Sequence, residues 1–461
     1  MDAQQVETRA EGADTPHATA FRAWTTWSSR IAWAAAVAMC LVLSLYVIGK
    51  AKSSGEDSWF PMNRALDFLH ASPAGAVYKA LFFSEHIKFQ YPPNGLLVID
   101  LLRRIGVATP AGYNLINAYL LIVTGLVFSI FVAQLFGAVR ISGIRLPLGA
   151  IAFVIAIRFY PNNLAFQIGQ MQILLGLLFL LACWALLHRR PLLAGCLVGA
   201  AATVKPQFLP LGLFALWRRD FRFSCGLTAV WCLSLSVSVY LYGWINHVDY
   251  LEVLTFLSRH GEYQHLNQSV DGILVRWLYH GPPLDRDPNG LIPQSAFPPY
   301  LAGVYIPMVI SSLGMFLVPF LLRNKDVDRT SELLGFCAAA TLFTMASPIA
   351  WAHHYNILLP AYPVALKSIL GRWQGRHASF AMSVLGVSMF LTGYPLTSAT
   401  SPTIPSLNLI QSHVFFGAVL LVVVMLAAIR APCLSADARE RGSARSPLGR
   451  VHGEPTPATV E

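Results

Sequence analysis

An acidic pair, Glu56-Asp57, stands just past the first long apolar stretch of the chain. A carboxylate in such a place can take the proton from a hydroxyl and make it a nucleophile. Asp57 is the foremost candidate for this base. Glu56 and Asp67 are its rivals, and a solvated loop acid or the N-cap of a short helix from Trp59 is the plainer reading. Tyr91-Pro92-Pro93 closes the same segment. Lys205 lies inside an apolar run, Ala200 to Gln207, where a lone cation wants a counter-charge. A phosphate or a carboxylate would serve; snorkelling of the ammonium to a surface is the alternative. Arg276 follows Asn267-Gln268-Ser269 on a short amphipathic stretch and suits either a phosphate clamp or headgroup contact. His353 and His354 follow Ser347-Pro348 and Trp351. Adjacent residues point about 100° apart on a helix, so the pair makes a poor two-ligand metal site. One of them can bind a phosphate or hydroxyl while the other packs, or both can act as interface anchors. Asn267-Gln268-Ser269 also reads as an N-glycosylation triplet, a pattern common by chance.

The elements that must position these residues are apolar helices. The chain has 461 residues, 55% apolar and 12% charged, against about 25% charged in soluble domains. Mean hydropathy is +0.53. Apolar runs near the bilayer-crossing length recur, and they are continuous rather than alternating, which excludes a β-barrel. The net charge of +10 comes largely from Lys and Arg in short loops and tails, the positive-inside pattern, and does not point to nucleic acid. The seven cysteines show no zinc spacing and none lies in a long polar loop. No Gly-rich phosphate loop, Rossmann pattern, CxxC pair or HExxH is present, so neither a metal nor a soluble nucleotide-sugar site is expected.

Taken in order, residues 1–30 read as a disordered cytoplasmic tail, 31–430 as one membrane domain, and 431–461 as a second disordered cytoplasmic tail. Arg22 and Arg30 before the first span give a signal-anchor pattern that puts the Asp57 loop outside. Residues 94–106 are short and amphipathic and suit a helix lying in the interface. If they do not cross, Arg140 and Arg145 fall on the cytoplasmic side, as the charge rule asks. A hairpin-like pair over 191–217, broken at Lys205-Pro206, and a long outer loop over about 244–299 follow. The length and charge rules together predict about twelve spans. No internal repeat is visible, which weighs against a transporter. The polar candidates sort to the outer side of the membrane, where ionisable groups are costly and mark function.

The order of these motifs resembles the bacterial glycosyltransferase family 87, also described as alpha-(1→2)-mannosyltransferase-like. The residues that carry it are Asp57, Tyr78, Tyr91-Pro92-Pro93, Ile168-Gly169-Gln170, Ala194-Gly195 leading to Lys205-Pro206, Arg218-Arg219, Asn267-Gln268-Ser269 with Arg276, and Ser347-Pro348 with Trp351 and His353-His354. The likeness covers roughly residues 31 to 370. It departs at Gln172, Ala350 and Trp59-Phe60-Pro61. The resemblance implies an all-α, GT-C type membrane glycosyltransferase in the bacterial inner membrane, with its active site on the periplasmic side. It implies a polyprenyl-phosphate sugar as donor, typically mannose, a lipid or glycan acceptor, and no cofactor. Asp57 would be the general base of an inverting transfer. His353 or His354 would stand near the donor phosphate or the carboxylate, and Lys205 and Arg276 would bind phosphate. Tyr91, Gln170, Asn267, Gln268 and Trp351 complete the expected substrate-binding set. The alternative reading is a transporter or flippase of a lipid-linked sugar, which needs the cations but no base.

Overall fold

A computed structural model describes residues 16–72, 75–137, 145–281, 284, 297–321, 328–397 and 401–432. Among these, regular structure is helical, and a lone bridge between Asn267 and Trp351 stands in place of any strand. The helices are α1 (Pro16–Lys50), α2 (Trp59–Ala71), α3 (Leu96–Arg104), α4 (Pro110–Leu135), α5 (Arg145–Arg158), α6 (Tyr160–Gln167), α7 (Gln172–Leu187), α8 (Pro191–Val204) and α9 (Pro210–Trp217). The second half holds α10 (Phe221–Tyr242), α11 (Trp244–His260), α12 (Val270–Leu278), α13 (Ala302–Leu321), α14 (Arg329–Met345), α15 (Leu358–Arg372), α16 (Gly375–Gly393), α17 (Asn408–Gln411) and α18 (His413–Arg430).

Among the described residues, five apolar helical segments are long enough to cross a membrane: Ile31–Ser53, Pro110–Leu135, Phe221–Tyr242, Ala302–Leu321 and Pro405–Arg430. A sixth crossing results if Leu148–Arg158 and Tyr160–Gln167, bent by 49°, act as one span. The described residues therefore hold fewer full-length spans than the twelve expected from hydropathy. Proline is one cause. Pro191, Pro206 and Pro210 divide residues 191–217 into helices of 14 and 8 residues, because proline at a helix start is favoured and in the interior is not.

The helix starting at Pro16 enters the stretch expected to be a tail. Residues 1–15 of that tail, residues 433–461 of the second tail, and Arg140, Arg323 and Lys325 lie outside the described residues. α3 is nine residues long, buries Leu96 and Ile99, and exposes Leu101, with its C-cap Ile105 exposed as well; it is too short to cross a membrane alone. The long loop over 244–299 contains two helices, α11 and α12.

The core runs along α14, whose residues Leu333 to Met345 are all buried. α8 and α10 meet at backbone contact through small residues. A Cβ on Gly195 would fall 2.0 Å from the Phe223 carbonyl oxygen, one on Gly199 2.6 Å from that of Leu227, and one on Gly226 2.4 Å from that of Leu192. Gly195 and Gly199 form a small-xxx-small pattern, the spacing that lets apolar helices approach closely.

Candidate active site

The loop carrying Asp57 hangs between the end of the first span and α2, and is tied to one particular turn. Gly55 N–H donates to the Gln167 carbonyl (2.8 Å), Asp57 N–H to that of Ile168 (2.9 Å) and Ser58 N–H to that of Gly169 (3.2 Å). Gly169 is required there. Its φ is +70°, and a Cβ would lie 1.9 Å from the Gly55 carbonyl oxygen. From the other side, Asn114 on α4 accepts from Trp59 Nε1 (2.7 Å) and donates to the carbonyls of Ser54 and Gly55. Two motifs more than a hundred residues apart are thus one backbone junction. Gly169→Ala is expected to break this junction and to lower the thermal unfolding midpoint of the detergent-purified protein. A variant that melts with the wild type would show that the junction is dispensable.

Behind Asp57 lies a network with a fixed direction. Gln170 Nε2 donates to Asp57 Oδ2. Gln170 Oε1 accepts from Ser58 Oγ (2.8 Å) and Tyr91 OH (3.0 Å), and the two hydroxyls are 2.6 Å apart. With its oxygen taken by hydroxyls, the amide can present only N–H to the carboxylate. Asn117 holds the Gln170 carbonyl (2.9 Å), and Tyr78 OH donates to that of Tyr91 (2.6 Å).

The facing wall is the segment from Ser347 to Tyr355. It is braced by the triplet singled out in the sequence. Gln268 N–H donates to the Ala350 carbonyl (2.8 Å) and Ala352 N–H to that of Leu266 (2.8 Å). Asn267 Oδ1 accepts from Ala350 N–H (3.1 Å), and Ser269 Oγ donates to the Pro348 carbonyl (2.7 Å). Gln268 also ties this wall to α18, accepting from Val414 and Phe415 N–H. The wall presents His353 and His354, with Trp351 stacked on His353 at 6.3 Å. Lys205 reaches it from the break after α8. The residue before a proline is pushed out of the helical region, and Lys205 takes φ −132°, ψ 105°. Its amine shares a hydrogen bond with His354 Nε2. Lys205 has no carboxylate at ion-pair distance among the described residues.

These walls enclose a cavity of about 1010 Å³. Asp57, Tyr91, Gln170, Lys205, Trp351, His353 and His354 all line it. Arg276, Asn267 and Gln268 do not. Arg276 is fully buried and donates to Asn408 Oδ1 (2.6 Å), Ser412 Oγ (2.9 Å) and the carbonyls of Gln264 and Asn267. Four of its five N–H groups are taken by protein acceptors and it lies away from the cavity, so in place of the expected phosphate clamp it forms a structural brace. The rival acids divide. Glu56 is exposed at the cavity, whereas Asp67 pairs with Arg103 on the surface (2.7 Å). Gln172 is buried; its Nε2 donates to Asn356 Oδ1 (3.0 Å), and its backbone carbonyl accepts from Asn356 Nδ2 (2.8 Å).

Sequence reasoning missed Lys88 and Glu262. Lys88 lines the cavity and pairs with the buried Glu262 at 2.9 Å, which also accepts from Gln90. The available signal was a lysine three residues before Tyr91, in a segment already suspected. Nothing local marked Glu262 as its partner.

Asp57 is exposed to the cavity, with protein crowded around the cavity's walls. Desolvation by that crowding pushes its carboxyl above the ordinary range. The Gln170 hydrogen bond and the charges of Lys88 and Lys205 oppose the shift. Burial and then the Lys205 charge push both histidines well down, so they stand neutral near pH 7. Both nitrogens of His353 and Nδ1 of His354 are buried without a partner. Buried polar groups are nearly always paired; these three atoms are closed off from the cavity and lack a partner among the described residues. No group of three His, Cys, Asp or Glu able to hold a metal occurs among the described residues.

A frame of membrane-length helices around a cavity that gathers Asp57, Lys88, Lys205, His353 and His354 defines a membrane protein with a site for group transfer or binding. The chain belongs to glycosyltransferase family 87, whose profile matches residues 89–348. It is 28% identical over 284 residues to a polyprenol-phosphate-mannose-dependent alpha-(1-2)-phosphatidylinositol pentamannoside mannosyltransferase of Mycobacterium tuberculosis, covering 59% of this chain and 57% of that one. It is 26% identical over 335 residues to a protein of the same description from Mycolicibacterium smegmatis, covering 69% and 72%. A third relative, from Mycolicibacterium smegmatis, is a polyprenol-phosphate-mannose-dependent alpha-(1-2)-phosphatidylinositol mannoside mannosyltransferase, 24% identical over 208 residues, covering 44% and 43%. The chain thus spans just over half the length of the first of these relatives. No solved structure matches it.

Proposed function

We propose that this protein is a membrane mannosyltransferase that moves mannose from a polyprenyl-phosphate donor to a hydroxyl of a lipid or glycan acceptor, at the outer face of a bacterial inner membrane. The observation that carries the reading is the shared cavity, in which Asp57 stands opposite Lys205, His353 and His354. Family membership and the relatives' dependence on polyprenol-phosphate-mannose support the donor. The phosphatidylinositol-based acceptors of those relatives support a lipid acceptor.

The reaction proceeds with inversion. Asp57 takes the proton of the acceptor hydroxyl as its oxygen attacks the anomeric carbon. The bond from that carbon to the phosphate oxygen breaks on the opposite side, and its electrons leave with the polyprenyl phosphate. Lys205 stabilises the charge that grows on the departing phosphate, the largest kind of term in such catalysis. The neutral imidazoles of His353 and His354, each with one N–H, turn that N–H to its oxygens when the donor is bound. The apolar part of the cavity wall, Phe60, Pro61, Leu254 and Leu257, takes the first units of the prenyl chain.

Purified protein given labelled polyprenyl-phosphomannose and a membrane lipid extract is expected to form a labelled lipid and to consume the donor. A protein that carries the donor across vesicles and leaves it chemically intact would be a flippase, and this reading would fail.

The pH dependence follows from the Asp57 environment. The base acts when ionised, so transfer rises with pH through its raised pKa. Gln170→Leu removes a hydrogen bond that favours the ionised form. Its acid limb of kcat/KM is expected to move to higher pH than that of the wild type. An unmoved limb would separate Gln170 from the base.

A further inference from the structure

A second, smaller hollow of about 220 Å³ lies where α1 ends and α5 bends into α6. Two cations face it: Lys50, the last residue of α1, and Arg158, the last of α5. Both are exposed, and neither has a carboxylate at ion-pair distance among the described residues. Each stands at a helix C-terminus, where it offsets about half a negative charge. Two full cations outweigh those half charges, so the hollow stays positive. Ser53, Ser54 and Asn163 add neutral polar groups to it. The rest of its wall is apolar, built by Leu43, Val47, Leu121, Ile157 and Phe166. Tyr46 also lines it, and Met39 and Val42, on the same side of α1, continue it as an exposed apolar flank.

We propose that this hollow seats the phosphate headgroup of an anionic membrane phospholipid, with an acyl chain lying along the α1 flank. The two cations select an anion, as unpaired cations do at a membrane boundary. The apolar wall selects a lipid over free phosphate. Gln167 lines this hollow and the larger cavity alike, and its carbonyl accepts the Gly55 N–H at 2.8 Å. A seated headgroup therefore braces, from behind, the loop that carries Asp57. The binding itself does not depend on the proposed transfer reaction.

The test is native mass spectrometry of the delipidated full chain in detergent, titrated with phosphatidylglycerol. The wild type is expected to retain this lipid in preference to zwitterionic phosphatidylcholine. Each cation near a membrane surface contributes roughly a fivefold effect, so Lys50→Gln and Arg158→Gln should each weaken retention by about that factor, and the double variant by roughly 25-fold. Both residues are exposed, and unchanged thermal unfolding of the single variants keeps the comparison sound. Lys205→Gln should leave retention unchanged; a loss there would put the lipid in the larger cavity and overturn the proposal. Equal retention by wild type and double variant would overturn it too. So would displacement of the lipid by millimolar inorganic phosphate, which would make the hollow a free-anion site.

Discussion

Asp57→Asn is expected to lower transfer by about three orders of magnitude, near the upper part of what a positioned general base contributes, while the protein keeps its fold. The substitution is nearly isosteric. The asparagine oxygen can still accept the hydrogen bond that Gln170 gives to Asp57, and the backbone ties of the loop to Ile168 and Gly169 are untouched. What is lost is the proton acceptor alone. Removing a carboxylate whose ionised form is disfavoured by burial carries no penalty from a stranded partner, since Lys205 and Lys88 both keep their direct contacts. The measurement is labelled product formed by purified wild type and variant, beside their thermal unfolding midpoints. A variant that kept near-full rate with an unchanged midpoint would remove Asp57 from the chemistry and turn attention to Glu56, the other acid on the cavity.

Lys205→Gln carries the second large effect, a loss of about 10²- to 10³-fold, by analogy with the removal of one charge-stabilising donor. The donor phosphodiester carries one negative charge, and the departing phosphate monoester gains another. A cation beside it therefore interacts more strongly in the transition state than with the bound donor. Only such differential interactions speed the chemical step. The expected signature is a large fall in kcat with a smaller rise in KM for the donor. A rise in KM with kcat unchanged would mean that Lys205 holds donor and transition state equally, and its leaving-group role would be discarded. Glutamine is one atom shorter than lysine, but its amide can donate to or accept from His354 Nε2, so the second wall can retain a local contact.

The helical frame was legible because hydropathy and length are local properties. Ile31–Ser53 and Pro110–Leu135 can be read by eye. The number of full crossings was not, because an apolar stretch does not show where proline and bends divide it, as at Lys205-Pro206 and between α5 and α6. Within the site, residues marked by an unusual setting were found. Asp57 is an acid just past a span, Lys205 a cation in an apolar run, and His353-His354 a pair of imidazoles beside a Trp. All four line the cavity. Arg276 had the same kind of mark and a different fate. A buried guanidinium looks alike in sequence whether it meets a ligand or the carbonyls of Gln264 and Asn267. Asn267 and Gln268 were placed beside substrate, but their amides are used up on backbone groups of Pro348, Ala350, Gln411, Val414 and Phe415. Those partners are distant in the chain and carry no side-chain signature. The same holds for Glu262, which is meaningful only beside Lys88.

The interlock of Gly195, Gly199 and Gly226 fixes more than the spacing of α8 and α10. Each of these glycines leaves no space for a single methyl, so the two helices can mesh like a key in a lock at one setting along their length. Slipping by one tooth would turn α8 by about 100°. Lys205 follows directly on the last residue of that helix. The same slip would swing its ammonium away from His354. Meshing and aiming are one event: a chain that has seated α8 against α10 has already pointed its cation.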